Sequence, residues 1–197
     1  MTKKDKNTNV LVCGVGGQGV LLFSDLLSEI AMNQGLDVKK SEVHGMAQRG
    51  GSVTSHIRFG PKVYSPLIKE GTADFLVAFE KLEALRYLHF LSPTGILLSD
   101  NLIIEPLPVI IGLTELPKDI DERIKNRVRK YYLLDAFAQA KGLGNTRVQN
   151  MIMLGALSNF LDFTPDIYQG AIRQKVKEKL VDHNLKAFET GVGLILD

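Results

Sequence analysis

Two glycine-rich runs in the first third of the chain hold residue types suited to gripping an anion. In the first, Gly14, Gly16, Gly17, Gln18 and Gly19 fill a G-x-G-x-x-G pattern. The pattern follows an apolar run at 10–13 and precedes Phe23, Leu26, Leu27 and Ile30, which are spaced as on one face of a helix. Small residues at such a junction let backbone N–H groups and a helix N-terminus come close to a phosphate or carboxylate. The second run spans 41–52 and contains His44, Gln48, Arg49, Gly50 and Gly51. An arginine beside two glycines offers a planar fork of donors next to free backbone N–H groups, a combination that suits phosphate or carboxylate recognition. His44 and Gln48 add neutral hydrogen bonds or line a partner's site. The competing readings are structural: a tight strand-to-helix turn for the first run and a self-stabilised solvent loop for the second.

No general base or nucleophile is assigned in this chain. A dinucleotide fold usually ends its second strand in an acidic residue that binds the ribose. Here the sequence reads Lys39-Lys40-Ser41 with Glu42 beyond, so an NAD-dependent enzyme draws little support. Cys13 is the single cysteine of 197 residues, which rules out an intrachain disulfide and fits a reducing compartment. One thiolate cannot hold an all-cysteine iron–sulfur cluster, and the apolar neighbours of Cys13 make it a core residue. His44, His56, His89 and His183 lack zinc-ligand spacing, so no metal site is expected.

The net charge of +2 argues against a dedicated nucleic-acid binder. Lys118, Arg123, Lys125, Arg127, Arg129 and Lys130 alternate with Asp119, Asp121 and Glu122, which reads as a solvated helix face before it reads as a dock for an acidic partner. Lys3, Lys4 and Lys6 before the apolar run imitate a signal peptide until the glycines interrupt it. No stretch approaches the ~20 apolar residues of a membrane span. The expected location is cytoplasmic.

The elements that must position these runs follow the hydrophobic pattern. Strands are expected at 10–13, 36–40, 52–59, 74–79, 96–99, 109–111 and 131–134, and Gly60-Pro61 turns the third of these into 62–65 as a β-hairpin. Helices are expected after the first glycine run, at 81–91, and as a short element carrying Ile120, Ile124 and Val128. Residues 148–161 form a helix apolar around most of its circumference, Thr164-Pro165 opens another, and Leu185, Phe188 and Val192 mark a short last one. The fold class is α/β: a Rossmann-like, mostly parallel sheet with a β-hairpin insertion and a helical C-terminal cap. Residues 1–9 read as a flexible tail and 10–197 as one domain. Ligands of such a sheet meet the C-terminal strand ends, where Glu80, Ser99, Asp100 and Asp135 also fall. For Asp100 and Asp135 a loop start and a helix cap are the favoured roles; for Asn145, Arg147 and Asn150, capping competes with ligand contact.

The run Gly14-Val15-Gly16-Gly17-Gln18-Gly19, followed by Ser41-Glu42-Val43-His44-Gly45-Met46-Ala47-Gln48-Arg49-Gly50-Gly51-Ser52, closely resembles the gamma domain of the 2-oxoacid:ferredoxin oxidoreductases. Ser55-His56-Ile57-Arg58-Phe59-Gly60, Val63-Tyr64-Ser65-Pro66, residues 73–80, Gly144-Asn145 and Asn150-Met151-Ile152-Met153-Leu154-Gly155 continue the resemblance over most of the chain. Within the family it is most similar to the small (beta) subunit of the indolepyruvate branch. The resemblance implies one subunit of an enzyme that decarboxylates a 2-oxoacid, here an aryl pyruvate, and forms an acyl-CoA while ferredoxin takes the electrons. Thiamine diphosphate, Mg and the iron–sulfur clusters would then sit in a large partner subunit, with CoA as co-substrate. This chain would bind none of those cofactors alone, and it has no Gly-Asp-Gly segment with a following Asn at thiamine diphosphate spacing. Two other readings stay open: an independent NAD(P)- or FAD-binding oxidoreductase, and a non-catalytic binding module. Self-association as a homodimer through the apolar helix at 148–161 is also left open.

Overall fold

The computed structural model describes residues 6–44 and 50–195, with the backbone alone for His44. Six strands form one sheet: β1 Thr8–Val15, β2 Asp37–His44, β3 Ser52–Gly60, β4 Ala73–Ala78, β5 Leu91–Asp100 and β6 Lys130–Leu134. Their order is β2-β3-β1-β4-β5-β6. β1, β4, β5 and β6 are successive parallel neighbours, while β3 lies antiparallel between β2 and β1. A mostly parallel sheet is thus what forms, but the second strand in sequence does not lie beside the first. The helices are α1 Val20–Asn33, α2 Lys81–Tyr87, α3 Leu107–Ile110, α4 Ile120–Lys125, α5 Ala136–Gly142, α6 Gln149–Ser158, α7 Pro165–Lys175 and α8 Val181–Gly193.

Side chains alternate across a strand, and β1 divides the core accordingly. Val10 and Val12 join α1, α6, α7 and α8 on one face, whereas Leu11 and Cys13 join α2 and α4 on the other. A sheet covered on both faces explains why the middle of β3 is buried throughout, although Ser52–Gly60 alternates polar and apolar residues. The helix apolar around its circumference is α6, buried from Gln149 to Leu157. Its apolar surface is consumed inside the chain, which removes the reason for expecting self-association through it. α6 passes α8 at very close range: a Cβ on Gly155 would strike the Phe188 carbonyl oxygen and come within 2.9 Å of the Val192 nitrogen. A Cβ on Gly191 would stand 2.7 Å from the Ile152 carbonyl carbon.

Several expected elements are corrected. Residues 62–65 form no strand, and the partner of β3 in its hairpin is β2, paired from Asp37↔Gly60 to His44↔Val53. Pro61 and Pro66, which have no N–H to give a ladder, bracket the segment, and between them Val63 donates its N–H to the Asp37 carboxylate at 2.9 Å. The strand expected at 109–111 is the short helix α3, in which Pro108 supplies first-turn geometry. A brief apolar run does not by itself choose between strand and helix. β1 starts at Thr8, inside the expected tail. Lys6 pairs with Asp74 at 3.0 Å and Asn7 Nδ2 donates to the Lys62 carbonyl at 2.8 Å. β5 begins at Leu91 and the last helix runs for 13 residues, both longer than expected.

His56, on β3, is 8% exposed, and its Nδ1 accepts the Ile68 N–H at 3.2 Å. Burial holds its pKa below the ordinary 6.5. Below pH 6.5 the unfolded chain therefore binds a proton that the folded chain resists, and stability falls as pH drops through that value. Urea denaturation of wild type and His56→Asn at pH 8.0 and pH 5.5 checks this. The difference between the two proteins shrinks toward low pH, whereas a constant difference would refute it.

Candidate functional site at the glycine-turn edge

The C-terminal end of β1 feeds the first glycine turn, and the turn feeds α1. Gly17 and Gly19 have φ of 108° and 86°, values that disfavour any side chain. Gly14 is needed for a different reason, because a Cβ there would lie 2.9 Å from both Phe79 Cβ and Gln18 Oε1. Gly19 is the N-cap of α1 and makes no side-chain capping bond, and the first helical turn carries no acidic residue. The positive end of a 14-residue helix is therefore left without an anionic neighbour in its own first turn.

Gln18 works inward. Its Oε1 accepts the Val15 N–H at 2.7 Å and its Nε2 donates to the Phe79 carbonyl at 2.9 Å. The amide is thus a brace across the turn. Gln149 Nε2 donates to the same carbonyl at 2.9 Å and to Asp100 Oδ2 at 2.7 Å. Asp100 further accepts the N–H groups of Leu102 at 3.2 Å and Phe137 at 2.7 Å. Burial raises the Asp100 pKa, against the lowering effect of those hydrogen bonds. The loop-start role expected for Asp100 holds, and the residue also locks β5 to α5 and α6.

The two glycine turns are joined directly, since Gly16 N–H donates to the Gly51 carbonyl at 2.9 Å. Gly50, at φ 77°, is exposed at the end of the second turn. His44 enters that turn as the last residue of β2. Gln48 and Arg49 lie outside the described residues. Beneath the turn, Ser52 Oγ donates to the Glu83 carboxylate and lies 3.1 Å from the Tyr87 hydroxyl, while Arg86 pairs with Glu83 at 3.2 Å. Glu80 caps α2 by accepting the N–H groups of Glu83 and, at 3.1 Å, Leu82; it also takes the Ile104 N–H at 3.3 Å. Burial pushes both glutamates upward in pKa, opposed at Glu80 by the backbone donors and at Glu83 by Ser52 and Arg86.

These acids brace the edge, and the leading N–H groups of α1 beside it have no intrahelical acceptor and no capping side chain at Gly19. Of the remaining polar residues at this end, Asp135 accepts a bond from Asn101 Nδ2 at 3.0 Å, and Asn145 caps the short 3-10 turn Thr146–Val148. Gln149 and Glu83 went unnoticed in the sequence. Glu83 carried a local signal, because an acid three residues after a capping Glu80 is a helix-start pattern. Gln149 carried none, since its partner Phe79 is 70 residues away.

Cys13 is fully buried, and burial is the first cause of a thiol pKa well above its ordinary value. Among the described residues, no group of three or more His, Cys, Asp or Glu side chains could hold a metal ion. The single cysteine cannot by itself hold an all-cysteine iron–sulfur cluster. No helix among the described residues is long and apolar enough to cross a membrane.

The pyruvate ferredoxin/flavodoxin oxidoreductase family matches residues 9–194. The indolepyruvate oxidoreductase subunit IorB of Pyrococcus horikoshii is 39% identical over 194 residues, 95% of each chain. Among solved structures, the Geobacter sulfurreducens keto/oxoacid ferredoxin oxidoreductase gamma subunit superposes with a TM-score of 0.71 at 23% identity, covering 96% of this chain and 98% of that one. A 2-oxoglutarate:ferredoxin oxidoreductase from Magnetococcus marinus gives 0.76 at 22% identity. There the match covers 98% of this chain but spans only 31% of the other, so the fold also occurs as one part of a longer polypeptide. At these identities the two structures speak for the fold alone. By the family match over nearly its whole length and its identity to IorB, the chain belongs to the pyruvate ferredoxin/flavodoxin oxidoreductase family.

Proposed function

We propose that this chain is the small, gamma-type subunit of an indolepyruvate-class 2-oxoacid:ferredoxin oxidoreductase, working beside a larger subunit in a reducing, cytoplasmic setting. The observation that carries the reading is the Gly16–Gly51 hydrogen bond, which makes one edge out of two turns that are far apart in sequence. That edge has donors and a fixed shape, while Cys13 is withdrawn into the core. Such an inventory suits one wall of a shared site.

The larger subunit holds thiamine diphosphate, Mg and the iron–sulfur clusters; CoA is the co-substrate and ferredoxin the electron acceptor of the complex. The thiamine ring supplies the decarboxylation chemistry when bound, and the protein around it supplies binding and orientation. On this chain, the turn carrying Gly14, Gly16, Gly17 and Gly19 offers backbone donors to an oxyanion, and Gln18 sets the turn's shape. His44, Gln48, Arg49, Gly50 and Gly51 are the residues we assign to ligand or partner contact.

Co-expression of the tagged chain with a thiamine-diphosphate and cluster-containing partner tests this. The expected result is stoichiometric co-purification of a brown, cluster-bearing complex, with no tight NAD(P) or FAD on the isolated chain. Tight nucleotide binding by the lone chain, with no capture of the partner, would overturn the proposal in favour of an independent oxidoreductase.

A further inference from the structure

The run at 118–130 reads in sequence as a solvated face of mixed charge, but the fold spends its aspartates elsewhere. Asp119 pairs with Arg123 at 2.8 Å, and Asp121 reaches across to Lys81 of α2 at 3.1 Å. The side chains of Arg127 and Arg129 make no ion pair or hydrogen bond with any described residue. Their backbone is nevertheless held. Ile120 and Ile124 of α4 are buried, Val128 packs against the same core, and the Val128 N–H donates to the Ile124 carbonyl at 3.1 Å. The two arginines therefore flank an anchored residue rather than hang on a loose loop.

Both border one surface cavity of about 280 Å³. Leu88, Leu91 and Val128 give it an apolar lining, and His89 stands at its wall. The His89 ring lies 4.6 Å from that of Phe90, and its Nε2 faces Glu70 Oε1 at 3.8 Å. No carboxylate lines the cavity. The volume is near the lower end for small-molecule sites, about 300–1,000 Å³. The cavity takes in the start of β5 and the approach to β6, whereas the glycine turns leave the C-terminal end of β1, parallel to both through β4. The two features thus lie at opposite ends of the sheet.

Two unpaired guanidinium groups beside one small cavity repel each other, and an apolar lining screens them less than water would. An oxyanion between them reverses that sign and accepts from two planar forks of donors. The apolar lining adds a second requirement, because a bare hydrated ion leaves it unused. We infer that this cavity is a binding site for a small organic anion, a carboxylate or phosphate carried on an apolar body, with Arg127 and Arg129 holding the charge. The inference does not depend on the small-subunit reading.

Titration calorimetry on the full-length chain tests it with four probes. Phenylacetate and phenyl phosphate carry one ring with either charged group, inorganic phosphate carries charge without a ring, and benzyl alcohol a ring without charge. Saturable binding of at least one aryl anion is expected, tighter than that of inorganic phosphate, with none for benzyl alcohol; the tighter of the two aryl anions identifies carboxylate or phosphate as the preferred group. Arg127→Gln/Arg129→Gln is expected to melt near the wild-type temperature and to weaken the binding about tenfold or more, the loss of at least one hydrogen bond to a charged group. Should the double variant not fold, Arg127→Gln alone carries the same test. No saturable binding of either aryl anion would overturn the inference, as would binding that survives the substitution, which would place the anion elsewhere on the chain.

Discussion

Gly155→Ala is expected to destabilise the protein by about 3 kcal/mol or more, the upper range for forcing volume into a packed interior. The added methyl has nowhere to go. It meets the Phe188 carbonyl oxygen and the Val192 nitrogen, which are backbone atoms of α8 and cannot rotate aside. α8 meets α6 through Gly191 in the same way, so the two helices are pressed together by a reciprocal pair of missing side chains. Against this stands the better helix propensity of alanine, worth at most about 1 kcal/mol, so the clash wins. For a chain of this length, a loss of about 3 kcal/mol lowers the melting temperature by roughly 6–12 °C. Thermal and urea denaturation of Gly155→Ala read this directly, and a melting temperature unchanged or raised would show that the helices are free to separate.

The second large effect is functional. Gln18→Ala removes both side-chain bonds that brace the first glycine turn, leaving Val15 N–H without its acceptor and the Phe79 carbonyl with Gln149 alone. One donor left unpaired costs about 1–3 kcal/mol of stability if water cannot reach it. The greater consequence is positional, because the turn that presents Gly16, Gly17 and Gly19 loses its brace. A displacement of about 1 Å in a positioning element can cost roughly 10²-fold in rate. The expected outcome is an assembled complex whose kcat/KM has fallen by about that factor. Near-normal turnover in Gln18→Ala would mean that the turn's shape does not matter to the reaction.

The residues that could be read from sequence are those whose signals are local. A pure apolar run, a glycine pattern and an amphipathic segment place β1, its turn and α1 before any coordinates are seen, and Cys13 in the middle of that run reads as core. The hairpin was misplaced because Gly60-Pro61 is a stronger local turn signal than the loop joining β2 to β3, while the pairing that decides the matter spans 8 register positions. The junction of Gly16 with Gly51, and of Gln18 and Gln149 with one carbonyl, depends on contacts between segments tens of residues apart. No window of neighbouring residues encodes them. Gly155 and Gly191 are similar: inside a helix a glycine looks like a weak propensity choice, and its purpose emerges only when another backbone arrives. Asn150 reads from sequence as a cap or a ligand contact; what the sequence does not show is that its side chain packs against Gly19 while accepting the Met151 N–H.

The proposed role of this chain is to complete an active site whose cofactors lie in the larger subunit. Its most direct test is 2-oxoacid-dependent and CoA-dependent ferredoxin reduction, measured with this chain alone, with the large subunit alone and with the two combined. The predicted result is negligible reduction by either subunit and full turnover of indolepyruvate by the combination. Turnover by this chain alone, or by the large subunit at the same rate without it, would contradict the account.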